Sequence, residues 1–219
     1  MRTTVLLVLW PSFLFAQQAQ NFAGAAIGVT TLSADGKTAI TSAGSSVSLY
    51  KPENGFTAYV VAGRHLTDYL SVQGNYTTST NALTLTSLAV IGGTESVYEQ
   101  VRSSRQQLFG GDAMLYFRNR ASVFRPYLSM GGGANHFSSK AERVIVQKGG
   151  LPLPTTPLAT TKPFLRVAVG IDARIAKGWY FRYIFSESIL KNPISAQLTP
   201  PANRNLASFQ SLFGVVKQF

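Results

Sequence analysis

His136-Phe137-Ser138 is a place where this chain sets a base and a nucleophile at strand spacing. In an extended strand the two outer side chains share a face, so the imidazole could take the serine proton. A working pair also needs a third group to orient the base, and this pair is isolated. We therefore expect no catalytic residue and no enzyme. The other histidine, His65, is far away in sequence, there is no cysteine, and only nine residues are acidic. That composition argues against a metal site, and we expect no metal and no cofactor. Gly131-Gly132-Gly133 is followed by no Lys-Ser/Thr and opens no helix, so it is not a phosphate loop. Glycine in such a strand relieves crowding or allows a bend. The net charge of +11 is spread along the chain without a long run, so nucleic acid is not an expected partner.

A second set of charged groups has another use. Asp112, Arg166, Asp172, Arg174 and Arg182 occupy alternate positions in three segments whose opposite positions are apolar. Leu165, Val167, Val169, Ile171, Ala173 and Ile175 oppose Arg166, Ala168, Gly170, Asp172 and Arg174. Trp179, Phe181, Tyr183 and Phe185 oppose Tyr180, Arg182, Ile184 and Ser186. Period-2 alternation is a strand signal. The last segment shows it again: Ala207, Phe209, Ser211, Phe213, Val215, Lys217 and Phe219 against Ser208, Gln210, Leu212, Gly214, Val216 and Gln218. A soluble barrel hides its phenylalanines. A barrel in lipid turns its aromatics outward and encloses its polar groups, and that is the pattern expected here.

The elements that must hold these residues are eight strands, over 21–32, 55–65, 69–78, 107–117, 124–137, 165–175, 179–186 and 207–219. Short turns fall at 66–68, 118–122 and 176–178. Long segments fall at 33–54, 79–105, 138–161 and 190–205, and are read as loops. The third carries Gly149-Gly150 with Pro152, Pro154 and Pro157, which argues against a central strand. In the second, Leu83 to Ile91 could extend the sheet above a membrane. For the strand 55–65 either Arg64 or His65 could face outward. At ~2.3 Å of height per residue an apolar band of ~25 Å needs ~11 residues, the length from Phe209 to Phe219. The fold class expected is an all-β, eight-stranded antiparallel up-and-down transmembrane β-barrel.

Residues 1–16 have the make-up of a secretory signal: Arg2, the apolar run Val5 to Leu9, and Ala16 before the cut. The domains expected are a signal peptide over 1–16 and a barrel over 17–219. No later stretch supplies the ~20 apolar residues of a membrane helix, and only helices and closed barrels satisfy every backbone group in lipid.

Three stretches carry a resemblance: Arg125-Pro126-Tyr127-Leu128 leading into Gly131-Gly132-Gly133, the run Leu165 to Phe185, and SLFGVVKQF at the end. Together they resemble the small outer-membrane β-barrel family, the membrane domain of OmpA-type proteins, here without a peptidoglycan-binding domain. The resemblance implies that Phe213, Val215 and Phe219 form a signal read by the outer-membrane assembly machinery. Lys217 departs from the family, which has an apolar or aromatic residue there; near an interface a lysine can snorkel at ~0–1 kcal/mol. Outer-membrane deacylases carry a His-x-Ser pair in the seventh strand, where this chain reads Tyr183-Ile184-Phe185-Ser186-Glu187.

These readings set the functional expectations. The location is the bacterial outer membrane, with both termini periplasmic. Trp179, Phe181, Tyr183, Phe185 and Phe209 face lipid. Asp112, Arg166, Asp172, Arg174 and Arg182 form a charge network inside, because unpaired charges in a narrow lumen are costly. The role is structural or surface-interacting, through four long extracellular loops; the alternatives are a narrow porin-like ion path and, third, a lipid-modifying enzyme. The expected partners are outer-membrane lipid, lipopolysaccharide, the assembly machinery and an unidentified extracellular ligand, for a monomer. Lys37, Lys51, Arg102, Arg105, Lys140, Arg143, Lys148, Lys191 and Arg204 are the loop cations that could meet lipopolysaccharide phosphates, set against Asp35, Glu53, Glu95, Glu99 and Glu142.

Overall fold

The computed structural model describes residues 20–151, 154, 158–194, 198–201 and 204–219. The expected signal peptide over 1–16 lies outside these residues. Ten strands follow one another: β1 (Asn21–Leu32), β2 (Asp35–Thr41), β3 (Gly44–Pro52), β4 (Gly55–His65), β5 (Leu70–Ile91), β6 (Thr94–Tyr116), β7 (Phe124–Lys148), β8 (Leu158–Ala176), β9 (Trp179–Lys191) and β10 (Asn205–Gln218). Eight of them close a ring in the order β1-β4-β5-β6-β7-β8-β9-β10, every neighbouring pair antiparallel. Closure is the pairing of β1 with β10, from Phe22 opposite Gln218 to Leu32 opposite Ser208. A closed ring leaves no strand edge at its waist, so the backbone is satisfied without water.

The alternation decides which face is which. Val169, Phe181 and Phe213 are 48%, 38% and 52% exposed, on the outer wall. Their neighbours Ala168, Arg182 and Leu212 are buried inside. On β4 the open question resolves with His65 buried and Arg64 outward. The turns Leu66–Tyr69, 117–123 and Lys177-Gly178 lie at one end together with Gln20, the first described residue, and Phe219: the His65 amide donates to the Gln20 carbonyl and the Phe219 amide to that of Asn21. Gly178 has φ of +73°, a left-handed turn conformation that glycine adopts without a Cβ clash.

Three segments expected to be loops are largely strands: 33–54, 79–105, which is taken up by the upper halves of β5 and β6, and the first half of 138–161. Residues 33–54 form the β2–β3 hairpin, and β3 pairs with Leu83–Ile91 of β5 above the point where β4 ends. The Ser, Thr and Gly content reads as loop, but the upper half of β5 needs a backbone partner, and β3 supplies it. Likewise β7 continues through Lys148, paired with β6 and bulged at two places between Glu99 and Arg102. The prolines of the third segment all lie beyond Gly149-Gly150, so they do not interrupt it. The apolar stretch Leu83–Ile91 does extend the sheet, and β5 turns into β6 through Gly92 and Gly93. Above the ring, β2, β3, β5, β6 and β7 thus rise as an open curtain.

Candidate functional site

The chemistry-bearing groups are gathered inside the ring, in three storeys. The lowest is ionic. The Arg182 guanidinium grips Asp172, Nε to Oδ1 at 2.6 Å and Nη2 to Oδ2 at 2.7 Å, and the Tyr116 hydroxyl donates to the same Oδ2 at 2.9 Å. Such two-toothed pairs are the strong charge-assisted bonds. Asp112 accepts from Gln73 Nε2 at 2.9 Å and Asn75 Nδ2 at 2.8 Å, with Arg166 Nη1 at 3.9 Å. Arg182 Nη1 reaches Gln73 Oε1 at 3.3 Å, and Arg166 Nη1 reaches Asn75 Oδ1 at 3.1 Å. Gln73 and Asn75 therefore tie the two ion pairs into one network that crosses the lumen between β5, β6, β8 and β9.

Gly131 makes that crossing possible. In register it lies opposite Asp112 on β6 and opposite Arg166 on β8. A Cβ there would come within 2.5 Å of Asp112 Oδ1 and 2.0 Å of the Gly111 carbonyl oxygen. The charged partners meet over a residue with no side chain.

Arg174 takes no part in this network. Its Nη2 donates to the carbonyls of Arg120, Ala121 and Ser122, at 2.9, 2.7 and 3.2 Å, so it clamps the turn between β6 and β7. It sits two residues below Asp172, at the rim, where backbone acceptors replace carboxylates. Sequence reasoning passed over Gln73, Asn75, Tyr116 and Arg125. Their alternation already put them inward; the missing step was to count uncharged side chains as partners for charges.

The middle storey is a belt of small polar side chains, among them Thr30, Thr57, Thr77, Ser79, Gln106, Asn135, Ser186 and Gln210, all buried. Thr30 and Thr57 bond to one another, and Asn135 Nδ2 donates to Gln106 Oε1 at 3.0 Å. The top storey is apolar: Leu32, Leu83, Leu85, Leu206 and both rings of Tyr50 and Tyr98 pack around Ile194 and Leu198 of the β9–β10 connection. Burial pushes the Tyr50 and Tyr98 phenols up from their ordinary range. Ser48 and Ser87 hold that connection by donating to the Pro200 and Thr199 carbonyls, at 2.6 and 2.8 Å. Arg102, expected among the outward loop cations, is instead buried. It donates to Ser139, Gln100 and the Pro154 carbonyl, stapling the β7–β8 connection over the mouth. Its odd-even position on β6 turns it inward with Gln100 and Ser104.

On the outer wall, Trp179, Phe181 and Phe185 are exposed and Tyr183 and Phe209 half-buried. Phe213 stacks beside Tyr183 and Phe181, with ring centroids 4.8 and 6.4 Å apart. Val215 and Phe219 continue the same outward row. Lys217 Nζ lies 4.9 Å over the Trp179 ring, its cross-strand neighbour, a cation–π contact that suits a lysine at an interface. His136 and Ser138 also face outward but bond elsewhere, His136 Nδ1 with Thr161 Oγ1 at 3.0 Å and Ser138 Oγ to the Arg105 carbonyl at 3.5 Å. Higher on this wall a groove of about 610 Å³ opens beside Thr80, Ser103, Arg105, Ser138, Lys140 and Glu142.

No protein-family model and no curated protein sequence matches the chain. Among solved structures, Neisserial surface protein A is similar, with a TM-score of 0.52 and 16% identity over 92% of this chain and 99% of that one. The N-terminal β-barrel domain of Pseudomonas aeruginosa OprF gives 0.48 and 11%, covering 92% and 100%. Ail, the attachment invasion locus protein of Yersinia pestis, gives 0.49 and 9%, covering 91% and 99%. Ring closure, antiparallel order and the likeness to the Neisserial protein together give this chain the fold of a small eight-stranded up-and-down β-barrel.

Proposed function

We propose that this protein is an integral outer-membrane barrel that conducts no ions, catalyses no reaction and works through its outward surface. The observation that carries the reading is the closed lumen: an ion-pair network, a polar belt and an apolar plug lie one above another. An eight-stranded ring has room only for its own side chains, and here they meet across it. The short turns and both ends would face the periplasm, and the curtain of β2, β3 and the upper halves of β5, β6 and β7 would stand outside the cell. In planar bilayers the refolded chain is expected to give no stable step openings; regular openings would overturn this reading in favour of the porin-like path. As an assembled monomer it would present Phe213, Val215 and Phe219 to the assembly machinery.

Lipopolysaccharide is the partner this surface supports first. Arg105 lies four residues above Phe109 on β6, so ~9 Å above an outward aromatic at ~2.3 Å per residue. Lys140 stands on the neighbouring strand, two residue pairs higher in register. Lys148 is eight residues farther along β7, ~18 Å up, and has Glu95 at 3.9 Å. With a screening length of ~8 Å at physiological salt, anionic headgroups would feel Arg105 and Lys140 and hardly feel Lys148. At about 1 kcal/mol per cation, Arg105→Gln with Lys140→Gln should lower lipopolysaccharide retention in detergent roughly 30-fold, while Lys148→Gln leaves it unchanged. Equal retention by all three proteins would leave these cations as simple solubilising charge.

A further inference from the structure

The lower lumen holds more positive charge than its carboxylates can match. Among the described residues, Arg120 pairs there with Asp68 and Arg182 with Asp172, while Arg125 and Arg174 hydrogen-bond only to backbone carbonyls. Arg182 and Tyr116 use both oxygens of Asp172. Asp68 gives its Oδ1 to Arg120 at 2.9 Å, and offers Arg125 only a backbone carbonyl, to Nη2 at 3.0 Å. Arg125 is the cation left over. Its side chain is 0% exposed, and its guanidinium carbon lies 3.9 Å from the centre of the Tyr116 ring. Neither Nε nor Nη1 meets an acceptor among the described residues.

The geometry of the fork sharpens this. Nη2 has two protons, one beside Nε and one beside Nη1, and the Asp68 carbonyl takes one of them. Whichever it takes, the other edge keeps two parallel N–H groups, the arrangement that binds oxyanions and halides. A further donor packs against the same Tyr116 ring. The His65 and Tyr116 centroids are 5.7 Å apart, and His65 Nδ1 lies 2.6 Å from Ser71 Oγ while Nε2 meets no partner. In the tautomer in which the Ser71 hydroxyl donates to Nδ1, the His65 proton sits on Nε2 and can donate. The nearby Asp172 carboxylate is already taken up by Arg182 and Tyr116, and a buried cation that is not directly paired is costly, so a small anion here would gain more than a neutral solvent molecule.

We propose that the turn-side floor of the lumen is a binding site for a small inorganic anion, chloride or phosphate, held by the open edge of Arg125 and flanked by His65. The site is inside the ring and independent of what the outer surface binds. The test uses the refolded full barrel in detergent. Its thermal midpoint is followed at constant ionic strength as chloride or phosphate replaces a bulky organic sulfonate, and crystals are soaked in bromide. The wild-type midpoint should rise by roughly 5–10 °C at a hundredfold excess over Kd, and bromide should give an anomalous peak at hydrogen-bond distance from Arg125. A response to chloride alone, or to phosphate alone, identifies the anion the site takes. In Arg125→Gln both the rise and the peak should vanish, and in Arg125→Lys part of the rise should survive. An equal rise in Arg125→Gln, or a wild-type midpoint indifferent to the anion, overturns the proposal. If Arg125→Gln does not refold, the wild-type titration and the bromide peak decide alone.

Discussion

Replacing Asp172 with alanine is expected to cost the barrel about 3–5 kcal/mol, the usual penalty for stripping one partner from a buried ion pair. The measurement is urea unfolding of the chain refolded into lipid vesicles. Asp172 is fully buried, and it satisfies both Arg182 and the Tyr116 hydroxyl. Without it the Arg182 charge stays in the lumen, hydrogen-bonded among the described residues only to Gln73 Oε1 and the Tyr116 oxygen. Most of the loss comes from that stranded cation rather than from the missing attraction. The double variant Asp172→Ala with Arg182→Met should therefore recover most of the stability, since a flexible apolar side chain can fill the space among Phe22 and Tyr127, over whose rings Arg182 now lies. A single variant that costs less than about 1 kcal/mol would mean the pair is no better than a surface one.

Gly131→Val should abolish folding altogether. The added side chain meets the Gly111 carbonyl at once and forces Asp112 off the line joining it to Arg166. The Gly111 contact is to backbone, which cannot swing aside as a side chain can. Gly111→Ala is the matched control: it sits on the adjacent strand, faces outward, and its nearest contact would be the Gln73 carbonyl at 3.4 Å. On a detergent gel, Gly111→Ala should keep a heat-modifiable band and Gly131→Val should run the same boiled or unboiled. A folded Gly131→Val barrel would show that the register of β6, β7 and β8 is looser than described.

Much of this architecture is legible in the amino-acid sequence. The strands 21–32 and 55–65 coincide with β1 and β4 to the residue, because strict alternation ends there at recognisable turn chemistry. The polar face of the last strand, with Gln210, Leu212 and Val216, is buried, and the aromatic face is outside. The β2–β3 hairpin was not legible, since its serines and glycines read as loop and its reason for forming lies in β5, more than thirty residues away. Arg102 shows the same limit. In a loop its charge would face water, but on a continuous strand its parity turns it inward to the β7–β8 connection.

What the amino-acid order determined by itself is the side of the sheet each residue takes, because successive side chains on a strand must point to opposite faces. From that alone follow the greasy outside, the polar inside and the eight-strand count. What only the tertiary structure decided is which inward groups stand at the same height. That depends on the stagger of strands around a closed ring, which local alternation does not record. The stagger brings Arg182 to Asp172, carries Arg174 down to the rim, and leaves Arg125 without a carboxylate.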